Sequence, residues 1–253
     1  MFELIAAQII TESLPISSSG HLALIERLFE RWSGTIVTVP QPLIWASHLP
    51  SVVIMLVAFR DRWWTLMRAP WRCRFIIMNF VTYGIIAELA TLAPYLVLSH
   101  AMVQALPLTV GFCITAAALY SDRYRPRGNY QPISWRCALL MGCAQGSAAV
   151  PGVSRLAVTY TMGRVQGLAP RQALFWSSLL ALPPFVAASL YGLWLERGTL
   201  ASYVTAINFW FWGIVVVLVA YGAFVAVYRA MVRGTIWRLS WYMVVPIMIS
   251  LLF

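Results

Sequence analysis

The chain has 253 residues, of which 61% are hydrophobic and 10% are charged. A soluble domain of this size carries charge on about a quarter of its residues, so the composition excludes an ordinary soluble fold and indicates helices that face lipid. The formal net charge is +10, but it comes from arginines that cluster in short loops between apolar segments, which is a topology signal and argues against nucleic-acid binding.

The first polar break is the sequence PISSSGH, residues 15–21, which separates two short apolar runs near the start of the chain. Pro15 cannot donate a backbone hydrogen bond and is predicted to end the first helix, while Gly20 allows a sharp turn. A second, amphipathic helix is predicted to begin near His21. The three serines at 17–19 therefore lie at a helix N-terminus, where free N–H groups and the helix dipole favour an anion.

Six apolar segments are long enough, or nearly so, to cross a hydrocarbon core of about 30 Å. They lie near 41–59, 75–98, 102–120, 172–194, 204–228 and 236–253. Arginine is concentrated in the loops 60–74, 121–136 and 229–238, whereas the alternate connections are close to neutral. The positive-inside rule then places the arginine-rich loops in the cytoplasm and both ends of the chain outside.

The region 134–171 repeats the organisation of the region 1–40. It contains the sequence GCAQGSAAVPGVSRLAVT, in which Pro151 and Gly152 form a break and Ser154 and Arg155 follow directly. Neither arm of either pair is long enough to cross the bilayer. Each pair is therefore predicted to be re-entrant, with its two short helices entering and leaving on the same side of the membrane.

Each re-entrant pair is followed by three spans, and an odd number of crossings inverts the second unit relative to the first. The chain is therefore predicted to be an all-α polytopic membrane protein that forms a single integral membrane domain, 1–253. It is predicted to contain an inverted-topology repeat with units at 1–120 and 134–253, each a re-entrant helix pair plus three transmembrane helices. In such folds, interrupted helices at matching positions indicate a binding site near the midplane.

The two breaks together predict an anion site with a cation site beside it. Arg155 lies in a break rather than in a membrane-edge loop, and a guanidinium there suits the oxygens of a phosphate. Gln8 and Glu12 are one helical turn apart, so their oxygens share a face and can hold part of a Mg²⁺ or Ca²⁺ shell. An ion pair between Glu12 and Arg155 is the alternative. His21 is placed to transfer a proton or to attack phosphorus itself.

Three further ionisable residues are not assigned to this site. His48 and His100 lie in or beside apolar spans and are interpreted as structural or interfacial. Glu88 lies inside an apolar segment, where a carboxylate is costly and is often a proton site, an ion site or the partner of an arginine. The sequence does not decide among these roles.

At these motifs the chain resembles the undecaprenyl-pyrophosphate phosphatase (bacitracin-resistance) family of bacteria, and the resemblance covers nearly the whole chain in order. The family's (E/Q)xxxE and PxSSSGH-like motifs match Gln8, Glu12, Pro15, Ser17, Ser18, Ser19, Gly20 and His21, and its PGxSRSxxT motif matches Pro151, Gly152, Ser154, Arg155 and Thr159. Three features depart from the family pattern. Leu156 replaces a serine, Gln8 takes the first acidic position, and residues around Glu88 replace a Thr/Pro-rich stretch. These departures suggest a divergent member with a different polyprenyl or other lipid substrate, or with altered activity.

The resemblance implies hydrolysis of a polyprenyl (undecaprenyl) pyrophosphate to the monophosphate carrier of cell-wall synthesis plus inorganic phosphate. It also implies a divalent cation, Mg²⁺ or Ca²⁺, and a place in the bacterial inner (cytoplasmic) membrane. The expected partners are the lipid-linked pyrophosphate substrate and membrane lipids, with no nucleic acid, and a homodimer is compatible with the sequence.

The same resemblance assigns roles to individual residues. The expected catalytic residues are Ser18, His21, Glu12 and Arg155, with either Ser18 or His21 as the nucleophile. The expected phosphate-binding residues are Ser17, Ser19, Gly20, Gly152, Ser154, Arg155 and Thr159. Glu12 and Gln8 are the expected metal ligands.

A polyprenyl-phosphate or other lipid-phosphate transporter, or flippase, is the alternative function. An inverted repeat with a central anion site is also what alternating access requires. The sequence leaves open the side of the membrane to which the site opens and the chain length of the lipid.

Overall fold

The computed structural model describes residues 2–34, 38–68, 85–86, 89, 107–198 and 207–252. Within these ranges the chain is helical, and its only β-pairing is an isolated bridge between Asn129 and Leu168. The helices, numbered in chain order through the described ranges, are α1 (Phe2–Glu12), α2 (Ser18–Ser33), α3 (Gln41–Ala46), α4 (Leu49–Ala58), α5 (Arg60–Arg68), α6 (Leu108–Ser121), α7 (Trp135–Ser147), α8 (Arg155–Val165), α9 (Pro170–Leu195), α10 (Ile207–Arg233), α11 (Leu239–Tyr242) and α12 (Val244–Ser250). Short 3₁₀ turns lie at Asp122–Tyr124 and Ile236–Arg238.

Three helical segments of the described chain are long and apolar enough to cross a membrane. They are Gln41–Ala58, which comprises α3 and α4, Pro170–Leu195, which is α9, and Trp210–Arg233 within α10. These segments match the predicted spans near 41–59, 172–194 and 204–228, so the prediction of a helical membrane protein is confirmed.

The other predicted spans are described less completely. A shorter apolar segment, Ile236–Ser250, occupies the position of the last predicted span. The described part of the predicted span 102–120 forms α6. Most of the predicted span 75–98, including Glu88, lies outside the described residues, as does His100.

The first helix break turns more sharply, and at a different residue, than the sequence indicated. Ser17 has a φ of 72°, a left-handed conformation that is uncommon for residues other than glycine. Its hydroxyl accepts a hydrogen bond from the Gly20 N–H at 3.2 Å and so caps α2, which begins at Ser18 rather than near His21. The turn is therefore at Ser17, and Gly20 lies inside the first turn of the helix.

The second break is held by a buried threonine of α6. Gly152 has a φ of 88°, and its carbonyl oxygen accepts a hydrogen bond from the Thr115 hydroxyl at 2.8 Å. The Ser154 N–H donates to the same hydroxyl oxygen at 2.8 Å, and the Ser154 side chain accepts from the Ala157 N–H at 3.3 Å. Ser154 therefore caps α8 as Ser17 caps α2.

The two breaks meet at α6, where glycines allow the backbones to touch. A Cβ atom on Gly20 would lie 2.8 Å from the Gly152 Cα, and one on Gly111 would lie 1.9 Å from the Pro151 carbonyl oxygen. Around this contact α1 packs on α2, α7 on α8, and α6 on α8, α11 and α12. On the other side α9 packs along α3 and α4, and α10 packs against α1, α4 and α9.

A buried ion pair fixes the end of α8 to the loop after α6. The Arg164 Nε lies 3.2 Å from the Asp122 Oδ1, and both side chains are 3% exposed. The Arg164 guanidinium also donates to the carbonyl oxygens of Leu168 at 2.6 Å, Arg127 at 3.0 Å and Pro126. One side chain therefore satisfies carbonyl groups on both sides of the α7–α8 helix pair.

Candidate active site

A cavity of about 500 Å³ lies between the two helix breaks, and we call it the headgroup cavity. Its walls come from α1, α2, α3 and the α3–α4 junction, and from the segment that leads into α8. The predicted site residues that line it are Gln8, Glu12, Ser17, Ser18, Ser19, Ser154 and Arg155. The fold thus brings both sequence motifs to one space.

Gln8, Glu12 and Ser18 form a connected polar cluster on the wall of this cavity. The Gln8 Nε2 donates to the Glu12 Oε2 at 3.1 Å and to the Ser18 Oγ at 3.2 Å. The Ser18 hydroxyl donates a short hydrogen bond to the same Glu12 oxygen. A hydroxyl that donates to a carboxylate has a base within reach of its proton, which is the arrangement that activates a serine as a nucleophile.

His48 lies in the site, whereas the sequence favours a structural or interfacial role for it. It lines the headgroup cavity, and its Nδ1 lies 3.7 Å from the Glu12 Oε2. Its ring stacks on Phe185, with ring centroids 4.4 Å apart. One feature of the sequence marks His48 as a site residue, namely its position inside an apolar span. Burying an ionisable side chain in a membrane is costly, so such a residue is a candidate for a functional site.

Arg155 is the first residue of α8 and lines the headgroup cavity. The carbon at the centre of its guanidinium lies 4.2 Å from the centroid of the Phe185 ring, within the range of a cation–π interaction. Phe185 therefore contacts both Arg155 and His48. Leu156, which replaces the serine expected from the family motif, also lines the cavity.

His21 does not line the headgroup cavity. Its Nδ1 lies 2.7 Å from the Ser17 carbonyl oxygen, and its Nε2 lies 3.0 Å from the Tyr242 hydroxyl. The ring edge packs against Phe112, with centroids 5.3 Å apart. Because a carbonyl oxygen can only accept, the Nδ1 carries a proton in this arrangement. The imidazole thus links the serine turn to α11.

Three other predicted phosphate-binding residues also lie away from the cavity lining. Gly20 and Gly152 form the backbone contact between the two breaks. Thr159 is fully buried, and its hydroxyl donates to the Arg155 carbonyl oxygen at 2.8 Å and contacts the Ser177 hydroxyl. The positions of these residues suit a supporting role.

The predicted metal ligands offer oxygen atoms of the kind that hard cations bind. The Gln8 Oε1 is buried and has no hydrogen-bond partner among the described residues. It belongs to the same cluster as the Glu12 carboxylate, and carboxylate and amide oxygens are ligands for Mg²⁺ and Ca²⁺. In the described ranges, this site included, no group of three His, Cys, Asp or Glu residues is arranged to hold a metal ion. A cation at Glu12 and Gln8 would therefore need phosphate oxygens and water to complete its shell.

Comparison with known proteins agrees with the motif resemblance. The family model described as bacitracin resistance protein BacA matches residues 4–249. An undecaprenyl-diphosphatase of Pelotomaculum thermopropionicum is 32% identical over 190 residues, covering 72% of this chain and 70% of that protein. An undecaprenyl-diphosphatase of Mycobacterium sp. (strain KMS) is 31% identical over 205 residues, covering 75% of this chain and 71% of that protein. An undecaprenyl-diphosphatase of Bordetella avium is 28% identical over 220 residues, covering 77% of this chain and 75% of that protein. The chain therefore belongs to the BacA family of bacitracin resistance proteins.

Proposed function

We propose that this protein is a membrane-embedded phosphatase that hydrolyses undecaprenyl pyrophosphate to undecaprenyl phosphate and inorganic phosphate. The observation that carries this proposal is the Ser18 hydroxyl donating to the Glu12 carboxylate on the wall of a cavity that Arg155 also lines. Its relatives are named undecaprenyl-diphosphatase, which supports the choice of substrate.

Ser18 is the proposed nucleophile. It lines the cavity, whereas both ring nitrogens of His21 are engaged by Ser17 and Tyr242. The Ser18 oxygen attacks the terminal phosphorus, and Glu12 accepts the hydroxyl proton. The new bond joins phosphorus to Ser18, and the bond from phosphorus to the bridging oxygen breaks, so undecaprenyl phosphate leaves with the electron pair. Water then hydrolyses the phosphoserine and releases inorganic phosphate.

Positively charged or polarised groups of both breaks stabilise the negative charge on the phosphate. Arg155 suits two phosphate oxygens at once, and the free N–H groups at the starts of α2 and α8 favour an anion. Ser17, Ser19 and Ser154 lie on the same walls. Charge on the phosphorus oxygens is the main obstacle in phosphoryl transfer, so neutralising it lowers the barrier.

His21, Gly20, Gly152 and Thr159 support these groups from behind the cavity wall. His21 contacts the Ser17 carbonyl oxygen and so fixes the turn that presents Ser18. The two glycines allow the breaks to approach, and Thr159 contacts the backbone of Arg155.

A divalent cation, Mg²⁺ or Ca²⁺, is part of the proposal, with Glu12 and Gln8 as its protein ligands. When bound, it would supply further positive charge to the phosphate oxygens. The buried Gln8 Oε1 beside a carboxylate supports this assignment. Only one of the two ligands is charged, so the bound pyrophosphate is expected to contribute to cation affinity.

We further propose that the chain lies in the bacterial inner membrane as one domain with an inverted-topology repeat, units 1–120 and 134–253. The helix contacts support this arrangement, because elements at matching positions of the two units pack on each other. The first span of unit one, α3 and α4, packs on the first span of unit two, α9. Likewise α6, in the third span, packs on α11 and α12. The arginine-rich loops support an orientation with both termini outside.

The direct test is phosphate release from undecaprenyl pyrophosphate by purified protein in detergent with Mg²⁺ or Ca²⁺. We expect release by the wild type and a loss of about 10²- to 10⁴-fold in Ser18→Ala, while lipid binding falls less than about tenfold. Ser33→Ala, at the exposed end of α2, is the matched control and is expected to behave as the wild type. A wild type that releases no phosphate but moves lipid phosphates across vesicle membranes is a transporter and contradicts the proposal.

A further inference from the structure

A second, smaller cavity of about 20 Å³ adjoins the headgroup cavity, and we call it the inner chamber. Glu12, Arg155 and Leu156 line both cavities. The remaining polar lining of the inner chamber consists of the hydroxyls of Ser13, Ser51, Ser177 and Ser178. The proposed catalytic carboxylate and guanidinium are thus bordered on a second side by a space in which these hydroxyls alternate with apolar side chains, among them Ile54, Phe185 and Phe224.

Three of these hydroxyls have no hydrogen-bond partner in the part of the chain that the structure describes. They are those of Ser13, Ser51 and Ser178, which are 3%, 2% and 1% exposed. Ser13 lies in the first break, Ser51 in α4 and Ser178 in α9. Three separate elements therefore bring buried, unsatisfied hydroxyls to one cavity, although leaving such a group unpaired is costly.

Four other serines of this protein satisfy their hydroxyls locally. Those of Ser47, Ser147, Ser240 and Ser250 each donate to the backbone carbonyl oxygen three residues earlier. This local bond is the usual solution for a serine in or near a helix. The three hydroxyls of the inner chamber do not use it, and all three line one cavity.

The size and the lining of the inner chamber favour a water molecule over a phosphate group or a cation. A buried water needs about 10–15 Å³ and two to four polar partners, which this space provides, whereas a phosphate group is too large for it. A hydroxyl can donate or accept, so three of them can satisfy a neutral water molecule. A cation would instead lie beside the Arg155 guanidinium. We propose that the inner chamber binds one water molecule, held by Ser13, Ser51 and Ser178.

This inference rests on the proposed function for its consequence. A water molecule in the inner chamber would solvate Glu12 and Arg155 from the side away from the headgroup cavity and fix their directions. Ser13, Ser51 and Ser178 are then positioning residues that act through the water. The water is a component of the site in addition to the substrate and the cation.

The sign of a stability change tests the proposal. If the water is bound, Ser51→Ala and Ser178→Ala each remove one of its partners, and Tm is expected to fall by roughly 2–4 °C. If the chamber is dry, each change removes an unsatisfied hydroxyl and Tm stays the same or rises. Ser189→Ala is the matched control, because Ser189 is a fully buried serine of α9, also without a partner among the described residues, that does not line the chamber. Its Tm is expected to stay the same or rise.

Two further measurements complete the test. In a high-resolution experimental structure of the wild type we expect one density peak at hydrogen-bond distance from the Ser13, Ser51 and Ser178 hydroxyls. In phosphate release, Ser178→Ala is expected to lower kcat by about threefold to tenfold with little change in KM. A chamber without the peak, or a Tm that stays the same or rises in Ser51→Ala and Ser178→Ala as in the control, overturns the proposal. The wild-type rate tests the proposed function separately.

Discussion

Gly20 of the first helix break lies directly against Gly152 of the second, so that a Cβ atom on Gly20 would stand 2.8 Å from the Gly152 Cα. The same Cβ would lie 2.8 Å from the ring of Phe112, which is fully buried. Neither a backbone atom nor a ring in a packed core can move away cheaply. The approach of the two breaks, and with it the shape of the headgroup cavity, therefore depends on the absence of a side chain at this position.

We expect Gly20→Ala to lower the free energy of unfolding by about 1–3 kcal/mol, the usual range for overpacking in a core. The matched control is Gly213→Ala, because Gly213 lies in α10 with no atom near the place where a Cβ would be. Alanine in an open helical position is neutral or stabilising. Thermal unfolding in detergent measures both variants. Equal stability of the two would contradict the close packing of the breaks.

The hydrogen bond between His21 and Tyr242 is expected to affect the rate. Tyr242→Phe keeps the stacked ring, at a centroid distance of 5.8 Å, and removes the hydroxyl that contacts the Nε2. We expect phosphate release to fall by about threefold to tenfold, the effect of one lost hydrogen bond. His21→Ala also frees the Ser17 turn and is expected to nearly abolish release.

The control for the tyrosine change is Tyr124→Phe, which removes a hydroxyl hydrogen bond to Tyr120 outside the cavity. Its rate is expected to equal that of the wild type. If Tyr242→Phe also keeps the wild-type rate while His21→Ala is inactive, His21 acts without help from α11.

Removing one partner of the buried Arg164–Asp122 pair is expected to destabilise the fold strongly. Arg164→Met leaves the Asp122 carboxylate buried without its cation and leaves the carbonyl groups of Arg127 and Leu168 without their donor. Breaking a buried pair in this way typically costs about 3–5 kcal/mol. Arg60→Met is the control, because its pair with Asp61 is 3.7 Å long with side chains 73% and 95% exposed. No measurable change is expected there.

Membrane topology can be tested by labelling single cysteines in intact cells, after the native cysteines have been replaced. Ser33→Cys is expected to react with an impermeant reagent, because the loop after the first re-entrant pair lies outside in the proposed topology. Tyr124→Cys, near Arg125, is expected to be protected, as are positions near Arg68 and Arg233. Labelling of Ser33→Cys and Tyr124→Cys from the same side would contradict the inverted repeat.

Much of the candidate site could be predicted because local signals mark both breaks. Pro15 and Pro151 interrupt apolar runs, and the hydroxyls and the guanidinium that follow them do line one cavity. The placement of His21 could not be predicted, because its ring is held by Tyr242, which is distant in sequence. His48 was missed for the same physical reason. Its contact with Glu12 exists only after α3 and α4 pack against α1.

The turn at Ser17 and the inner chamber also could not be predicted from the sequence. Glycine is the usual residue at a positive φ, so the sequence favours Gly20 as the site of the sharp turn. In the structure Ser17 adopts that conformation instead, and its hydroxyl caps the helix. Ser51 and Ser178 lie in apolar spans where serine most often bonds to its own helix. Only the packing of α4 on α9 shows that both hydroxyls face one space.

The proposed cation site predicts opposite changes in cation binding when the charge of each of its two ligands is changed. Glu12→Gln removes the charge and the base for Ser18, so we expect a rate loss of about 10²- to 10⁴-fold and a weaker dependence on Mg²⁺ or Ca²⁺. Gln8→Glu instead adds a second carboxylate at a position 3.1 Å from the Glu12 Oε2, measured from the present Gln8 nitrogen. Two carboxylates repel each other unless a cation lies between them. That variant is therefore expected to bind the cation more tightly and to unfold at a lower temperature without it.

Thermal shifts with and without Mg²⁺ or Ca²⁺, beside rates over a range of metal concentration, measure both effects. Glu26→Gln is the matched control, because Glu26 is a carboxylate that lines the same cavity but accepts a hydrogen bond from the Val39 N–H at 2.9 Å. It is expected to leave metal dependence unchanged. A buried ion pair of Glu12 with Arg155 would give a different pattern, in which Glu12→Gln lowers stability by about 3–5 kcal/mol and added metal has no effect. A wild type whose Tm and rate ignore both cations would show that the metal assignment is wrong.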